Sequence, residues 1–200
     1  MTPDLLLALL GFALVTSVTP GPNNMMLLAS GVNFGFRRTV PHILGITLGH
    51  SLMVFLVGLG LAGLFRAWPV SLSLLKVVSV VYMLWLAWKI AHAGAPGEGR
   101  ARPRPFSFLQ AAAFQWVNPK AWAMALGAVT AYVLQPSVAV YLAVAAVFAA
   151  VNLPSVSLWA AAGQGLRRWL EAPARLRAFN WTMAALLVAS LWPVVTFSLP

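Results

Sequence analysis

The feature that most constrains this chain is a series of long apolar segments with almost no charge inside them. Only 8% of the 200 residues are charged and 61% are hydrophobic, whereas a soluble domain carries about 25% charged residues. A globular fold of this length cannot hide so much apolar surface from water. Because a membrane-crossing helix needs about 20 apolar residues, the chain has room for about six crossings. The sequence therefore predicts an all-α integral membrane protein.

Six apolar segments follow one another along the chain, and each is long enough to cross a bilayer. Their approximate bounds are 4–28, 40–65, 69–92, 106–134, 137–162 and 178–198. The first segment has no basic residues before it, so we interpret it as a retained helix rather than a cleaved signal peptide. The Gly/Pro-rich stretch 93–105 is the predicted linker of a single transmembrane domain, between a repeat at about 4–92 and a repeat at about 106–198.

The basic residues predict how the helices are oriented. The chain carries 13 Lys and Arg against 3 Asp and Glu, a net charge of +10. This excess does not indicate nucleic-acid binding, because the basic residues lie between apolar segments rather than on one polar face. They concentrate in the first, third and fifth connections. By the positive-inside rule these connections are cytoplasmic, and both termini lie outside the cytoplasm.

An X-Pro pair recurs at corresponding positions of the two halves. Thr19-Pro20 lies in the first segment, and Asn118-Pro119 lies 99 positions later in the fourth. The same offset maps the second segment onto the fifth and the third onto the sixth. Since each half has three helices, the second half enters the membrane from the opposite side, which gives an inverted repeat typical of transporters. Coincidence remains an alternative in a chain with 14 prolines.

The sequence TPGPN at residues 19–23 places two prolines and a glycine inside an apolar segment. Proline is unfavourable within a helix but suits the first position of a new one, and Thr and Asn are good N-caps. Segments one and four are therefore predicted to be two half-helices each, the second half beginning at Pro20 or at Pro119. A kinked packing helix is the alternative, and the Pro-Gly-Pro sequence favours a break.

The two breaks predict a binding site near the middle of the membrane. A helix N-terminus offers unpaired N–H groups and a partial positive charge that suit an anion, and Lys120 adds a full charge. Irregular backbone at this depth is tolerated only beside protein or a water-filled cavity, so we predict a cavity that binds a carboxylate. The predicted substrate-binding residues are Thr19, Pro20, Gly21, Pro22, Asn23, Asn118, Pro119, Lys120, Tyr82 and Asn152.

Three polar residues within the apolar segments have two interpretations each. Tyr82 either points its hydroxyl into the cavity or packs as an aromatic ring. Asn152, which with Pro154 is expected to break the fifth segment, either offers its amide to a substrate or bonds between helices. Ionisable groups are costly in lipid, so His50 is a candidate for proton handling, and a bond to a neighbouring backbone carbonyl is the alternative.

Gly45 and Gly49 form a small-xxx-small pair in the second segment, which predicts close helix packing. The six residues GLGLAG at 58–63 match a dinucleotide fingerprint, but no strand precedes them, so we interpret them as packing glycines. The chain has no cysteine, which excludes disulfides and thiolate metal sites, and no cofactor or metal is predicted. An intramembrane enzyme or an assembly scaffold is the alternative to a transporter. An enzyme would need a buried nucleophile–base pair, and a scaffold would not need two broken helices.

Five motifs are shared with a known family: TPGPN in the first segment, GITLGH in the second, YMLWLAWKI in the third, NPKAW in the fourth and the LW…G ending of the fifth. Through them the chain resembles the LysE/RhtB family of bacterial amino-acid exporters along nearly its whole length. TPGPNN, WLAWKI and NLPS…LW are most similar to the subgroup that exports cysteine and O-acetylserine. Two departures are Ser79, where the family usually has glycine, and His50, which is outside the general pattern.

The resemblance implies a six-helix exporter in the bacterial inner membrane, an antiporter that moves small amino acids or close metabolites outward and is driven by the proton gradient. The implied partners are the amino-acid substrate and membrane lipid, with no nucleic acid, and a homo-oligomer is left open. Transport would come from the two halves rocking about the central site.

Overall fold

The computed structural model describes residues 1–93 and 104–192, apart from the side chain of Arg66. Within these residues the chain is helical and contains no strand, so the predicted all-α class is confirmed. Helices α1 to α9 are Pro3–Val18, Pro22–Phe34, Phe36–Leu56, Gly63–Ala67, Val70–Ala91, Phe108–Phe114, Pro119–Tyr132, Val138–Leu166 and Pro173–Ala189. A wider helical turn, Val57–Leu61, continues α3, and 3-10 turns at Gln115–Val117 and Arg167–Leu170 follow α6 and α8. Most of the predicted linker lies outside the described residues.

The first apolar segment is broken, but the new helix begins two residues later than predicted. The N–H of Thr19 still donates to the Val15 carbonyl, 3.0 Å away, and closes the last turn of α1. Pro20 cannot donate the next helical hydrogen bond. Gly21 is extended, and Pro22 is the first residue of α2, which is bent by 53° from α1. The prediction of a helix start at Pro20, with Thr19 as its N-cap, is therefore wrong.

The fourth segment is broken where the sequence predicts. A 3-10 turn ends at Val117, and α7 begins at Pro119. The side chain of Asn118 accepts a hydrogen bond from the backbone N–H of Lys120 at 3.1 Å. Asn118 is thus a true N-cap, and proline occupies the first helical position, where its missing N–H costs nothing.

Two other helices contain proline and remain continuous. α8 passes through Asn152 and Pro154 without interruption, so the predicted break in the fifth segment is wrong. α3 likewise contains Pro41. Membrane helices tolerate proline because neighbouring groups satisfy the freed backbone. Next to Pro154, the Ser155 hydroxyl donates to the Val151 carbonyl at 2.8 Å.

The first connection is shorter than predicted. Only Gly35 separates α2 from α3, and its φ of +80° lies in the left-handed region that favours glycine. Arg37 and Arg38 therefore lie in the first turn of α3 rather than in a loop. The Arg38 guanidinium lies 5.7 Å from the centre of the Phe34 ring.

Glycines allow two helix pairs to approach closely. Against α8, a Cβ on Gly31 of α2 would collide with the Ala160 carbonyl, and one on Gly163 would collide with the Leu28 carbonyl of α2. Because both obstacles are backbone atoms, neither can move aside without shifting a helix. The contact between α2 and α8 depends on these two glycines, which the sequence analysis did not single out.

The predicted packing glycines of α3 lie against α6. A Cβ on Gly45 would lie 2.7 Å from the Cβ of Ala111, and one on Gly49 would lie 2.6 Å from the Cα of Ala112. Both distances are shorter than van der Waals contact. The small-xxx-small pair thus faces the first half of the broken fourth segment.

Several helices are long and apolar enough to cross a membrane. Among the described residues these are Phe36–Leu61, Val70–Ala91 and Val138–Leu170. The bent pair Pro3–Val18 and Pro22–Phe34 passes the same test when taken together as one broken span. By length and composition, the part of the chain that the structure describes therefore contains three continuous candidate spans and one bent one.

Most of the basic residues that the structure describes gather at one end of the bundle, which we call the cationic end. The N–H of Phe36 donates to the Gln164 side chain at 2.6 Å, which joins the start of α3 to the end of α8. The amide of Asn180 in α9 donates to the Ala93 carbonyl at 2.6 Å, just beyond α5. The basic residues here are Arg37, Arg38, Lys89, Arg104, Arg167, Arg168, Arg175 and Arg177.

Candidate functional site

A small polar cavity, called here the central cavity, lies where the two broken segments meet. Its volume is about 20 Å³, which holds about one water molecule. The lining residues come from α1, α2, α3, α7 and α8 and from the two breaks: Thr16, Ser17, Gly21, Asn23, Asn24, His50, Asn118, Lys120, Ala121, Met124, Asn152 and Val156. In this conformation the cavity is too small for an amino acid.

The carbonyls at the end of α1 are held by side chains from other helices. The last carbonyls of a helix have no partner within it. Here the Asn24 amide donates to the Ser17 carbonyl at 2.9 Å and to the Thr19 carbonyl at 2.9 Å. The Trp159 indole of α8 donates to the Val18 carbonyl at 3.2 Å. The first break is therefore a defined structure rather than a frayed end.

Lys120 connects the two breaks. It lies at the start of α7, and its ammonium donates to the Thr19 carbonyl at 2.6 Å and to the Pro20 carbonyl at 3.4 Å. The side chain passes directly over Gly21, where a Cβ would lie 2.7 Å from the Lys120 Cδ and 3.1 Å from its Nζ. Gly21 thus gives the lysine room to cross the first break. A full positive charge is held against two backbone carbonyls.

The N-termini of the two inner half-helices differ in their capping. In α7 the Asn118 side chain already accepts the Lys120 N–H. In α2 the N-cap is Gly21, which has no side chain to accept from the first turn. The backbone N–H groups of Asn23 and Asn24 have no helical acceptor at these positions. The positive end of α2, beside the Lys120 ammonium, is therefore the more favourable of the two for an anion.

Two amide side chains line the cavity and tie helices together. Asn152 of α8 donates to the Ser17 hydroxyl at 3.2 Å and accepts from Thr47 of α3 at 3.3 Å, so it bonds between helices and also faces the cavity. Asn23 exchanges two hydrogen bonds with Gln115, of 2.9 and 3.2 Å. Gln115 is completely buried. We call this contact the amide pair.

His50 lies on the α3 wall of the central cavity. It is only 2% exposed, and its ring meets Phe148 edge-on with centres 5.3 Å apart. In the part of the chain that the structure describes, neither ring nitrogen has a hydrogen-bond partner. The interpretation that His50 bonds a neighbouring backbone carbonyl is therefore wrong. A buried imidazole without partners is unfavourable unless water or a ligand reaches it.

The structure brings many of the predicted site residues to the central cavity. Gly21, Asn23, Asn118, Lys120 and Asn152 line it, as does His50. The remaining residues of the two X-Pro motifs lie at its edge. Thr19 and Pro20 offer their carbonyls to Lys120, and Pro22 and Pro119 begin α2 and α7.

Tyr82 is not at the central cavity. It lies in α5 on the wall of a second, larger cavity near the cationic end, with its ring 5.3 Å from Trp85 and 5.7 Å from Phe114 between centres. The expectation that its hydroxyl points into the central site is wrong. The physical reason is that α5 packs on α9 and the end of α6, away from the first break.

Sequence reasoning did not assign a site role to the side chains of Ser17, Asn24 and Gln115, which line or close the site. Each is a polar residue in an otherwise apolar segment, and that signal was available. Among the residues described, no group of three or more His, Cys, Asp or Glu side chains is placed to hold a metal ion.

The sequence profile of the LysE type translocators matches residues 14–190. The chain belongs to the LysE family. It is 36% identical over 171 residues to a protein of Salmonella typhimurium named as a cysteine/O-acetylserine efflux protein, covering 84% of this chain and 87% of that one. A protein of the same name from Escherichia coli K12 is 34% identical over 191 residues, covering 94% and 96%. No solved structure matches.

Membership of the LysE family makes this chain a translocator rather than an enzyme. The motifs quoted from the sequence had pointed to the same family and to the same efflux proteins, and the comparisons confirm that resemblance.

Proposed function

We propose that this protein exports small neutral amino acids or close metabolites across the bacterial inner membrane, with cysteine and O-acetylserine as first candidates. The efflux proteins of Salmonella and Escherichia coli that it is similar to carry those two compounds in their names. The observation that supports the proposal most directly is that the Lys120 ammonium and the uncapped start of α2 meet at one polar cavity. An α-carboxylate is the group that such a pair favours.

The helix order supports six crossings built as two inverted repeats. The bent pair α1–α2 would cross once toward the cationic end, α3 with its extension would return, and α5 would cross again. The broken pair α6–α7, then α8 and α9, would repeat this path from the opposite side. By the positive-inside rule, the cationic end would lie in the cytoplasm and both termini outside. Proline breaks in corresponding crossings agree with the plan of many secondary transporters.

Binding a substrate requires the central cavity to open. Its present volume of about 20 Å³ excludes an amino acid. The Lys120 ammonium bridges to the Thr19 carbonyl, and the amide pair of Asn23 and Gln115 spans the two breaks. Rocking of one repeat against the other would separate these contacts, and the substrate carboxylate would replace the carbonyls as the partner of Lys120. The described conformation corresponds to a closed state in this scheme.

Proton coupling would involve His50. The zwitterion of a neutral amino acid brings an ammonium group as well as a carboxylate. Because a protonated imidazole and that ammonium repel each other, a cavity with Lys120 already present would hold one of them at a time. Competition of this kind is what an antiporter needs, with substrate moving out and a proton moving in.

The test is transport by the purified protein in liposomes preloaded with radiolabelled amino acids. The panel contains cysteine under reducing conditions, O-acetylserine, serine, a cationic and an acidic amino acid. Each is measured with and without a pH gradient, against liposomes without protein. We expect efflux of the small neutral compounds. It should be faster when the outside is more acidic than the lumen, because protons then move in as the substrate moves out. Absence of efflux for every compound, with the protein correctly inserted, would contradict the proposal.

A further inference from the structure

The second cavity is much larger than the central one and lies at the cationic end. Its volume is about 500 Å³, and its walls are formed by α2, α3, α5 and the residues leading into α6. The floor contains Ser30 and the buried His42, whereas Lys89 and Arg104 are exposed at its rim. The motif residue Tyr82 lines it as well. This volume is more than enough for a small amino acid.

The rim of the second cavity favours an anion. Lys89 and Arg104 approach it from two different elements, α5 and the segment before α6. The Lys89 ammonium lies 4.5 Å from the centre of the Trp85 ring, which keeps it at the mouth of the cavity. Among the described residues that line the cavity there is no Asp or Glu to neutralise these charges. A carboxylate would therefore meet two cations and no competing anion from the described wall.

His42 gives the floor of the cavity an unused polar group. The side chain is 2% exposed, and its ring lies 5.3 Å from that of Phe106 between centres. Neither ring nitrogen has a hydrogen-bond partner among the described residues. A neutral imidazole carries one donor and one acceptor. Since buried polar groups in folded proteins are nearly always hydrogen-bonded, this imidazole is available to a polar ligand or water at the floor.

The two cavities follow one another along α2. Asn23, in the first turn of this helix, lines the central cavity, whereas Met26, in the next turn, lines the second cavity. On α6 and its extension, Gln110 lines the second cavity and Gln115 pairs with Asn23. The amide pair therefore stands between the two spaces. Along α2, the wall residues Asn23 and Met26 of the two cavities are about one helical turn apart.

We propose that the second cavity is a loading site that binds the amino-acid substrate at the cytoplasmic face before it enters the central cavity. This rests on the proposed export function. The carboxylate would bind at Lys89 and Arg104, and the polar remainder would meet His42. Separation of the amide pair would then let the substrate pass along α2 to Lys120. The chain thus has two successive carboxylate sites instead of one.

Equilibrium binding in a variant without the central charge tests this proposal. The Lys120→Met protein, in nanodiscs of phosphatidylcholine, is titrated with O-acetylserine or, if transport favours it, cysteine. We expect binding to persist, and to weaken about tenfold or more when Lys89→Gln or Arg104→Gln is added, as for loss of one charge-assisted hydrogen bond. His42→Phe, added separately, should also weaken it. The matched control is Arg38→Gln, because Arg38 is a cation beside an aromatic ring at the same end but does not line the cavity.

The outcomes separate this proposal from the proposed function. If the wild type exports the compound but Lys120→Met binds none, or binds it equally with Lys89 and Arg104 replaced, the loading site is overturned and export stands. If the wild type exports nothing on the panel, the proposed function itself has failed. If added phosphatidylglycerol displaces the bound amino acid completely, the cavity is a lipid headgroup site and the proposal is overturned. Folding of each variant is checked by its thermal transition and size-exclusion profile.

Discussion

At the scale of single residues, Lys120 connects the most features of the site. Its backbone N–H is capped by Asn118 at the second break, and its ammonium holds the Thr19 carbonyl at the first. One side chain therefore couples two elements that are about one hundred positions apart in the sequence. Any ligand that takes the ammonium away from that carbonyl also loosens the contact between the two halves. Binding and opening would be linked through this lysine.

Lys120→Met should discriminate carboxylates from their neutral analogues. A hydrogen bond to a charged group contributes about 1.5–3 kcal/mol, so loss of the ammonium should weaken binding of the acid by about 10- to 100-fold. The amide or methyl ester of the same amino acid lacks the carboxylate charge and should be affected much less. The measurement is competition by acid and amide against labelled substrate in the transport assay.

The comparison of acid with amide also controls for damage to the break. Loss of the contact between Lys120 and the Thr19 carbonyl affects both ligands, whereas loss of the charge affects mainly the acid. Lys120→Arg keeps the charge and should retain part of the preference for the acid. Equal losses for acid and amide would mean that Lys120 has only a structural role.

Gly21 should tolerate no side chain beneath Lys120. A Cβ at this position would lie 2.7 Å from the Lys120 Cδ, so the lysine must move away from the first break. The backbone at Gly21 is extended, a conformation that any residue can adopt, so the expected loss of export does not come from backbone strain. We expect Gly21→Ala to lower export and Gly21→Leu to abolish it, with membrane abundance near that of the wild type on an immunoblot. Normal export by Gly21→Leu would show that the break is only a kink.

His50 should matter for coupling more than for binding. His50→Gln removes the titratable ring but keeps a polar side chain in the cavity wall. We expect exchange of labelled for unlabelled substrate to continue, while stimulation of efflux by a pH gradient is lost. His92→Gln is the control, because His92 lies just beyond α5 and does not line the central cavity. Gradient-driven efflux that is unchanged in His50→Gln would remove His50 from the coupling mechanism.

At the scale of helices, the sequence predicted the breaks at the two X-Pro motifs better than their registers, and it predicted one break in α8 that is absent. Pro119 follows an Asn that can cap, so the start of α7 was predictable from local chemistry alone. At the first break two prolines compete, and Thr19 also looks like a cap. The structure uses Pro20 to end α1 and Pro22 to begin α2, with Gly21 between them. The Asn24 side chain supports this arrangement, because it donates to the Ser17 and Thr19 carbonyls at the end of α1.

The tertiary contacts of the site were not predictable from spacing. Asn23 and Gln115 lie 92 positions apart, and only the packing of the two broken segments shows that they pair. The same holds for the second cavity, where Lys89, Arg104 and His42 come from three different elements. Local rules identify which residues are unusual in an apolar segment. They do not say which of these meet, because that is decided by helix packing.

The α2–α8 contact should be sensitive to small substitutions. Gly163→Ala places a methyl group against the Leu28 carbonyl, and overpacking of this kind costs about 1–3 kcal/mol. Gly165→Ala, two residues along the same helix, meets nothing within 4 Å. It should be neutral or stabilising, because alanine is favoured over glycine within a helix. The measurement is the thermal transition of each protein in detergent. Equal transitions would show that α2 and α8 are less closely held than the structure indicates.

At the scale of the whole molecule, the basic connections lie at one end of the bundle, and the broken helices meet at the central cavity. Contacts such as those from Phe36 to Gln164 and from Asn180 to Ala93 bring the basic connections to one end. The central cavity lies where the half-helices meet, and the second cavity lies at the cationic end. If that end is cytoplasmic, an exported compound meets the larger cavity first. The direction of the proposed transport thus depends on the orientation of the bundle.

The orientation is testable because the natural sequence has no cysteine. Ala172→Cys places one thiol at the cationic end, just before α9, and Gln135→Cys places one between α7 and α8 at the opposite end. Both positions are exposed. In intact cells a membrane-impermeant maleimide should label Gln135→Cys and not Ala172→Cys, because the basic end is retained in the cytoplasm. Both thiols should react after the membrane is permeabilised, which controls for accessibility. Labelling of Ala172→Cys alone in intact cells would invert the topology, and the larger cavity would then lie on the outer face, where it could not load a substrate for export.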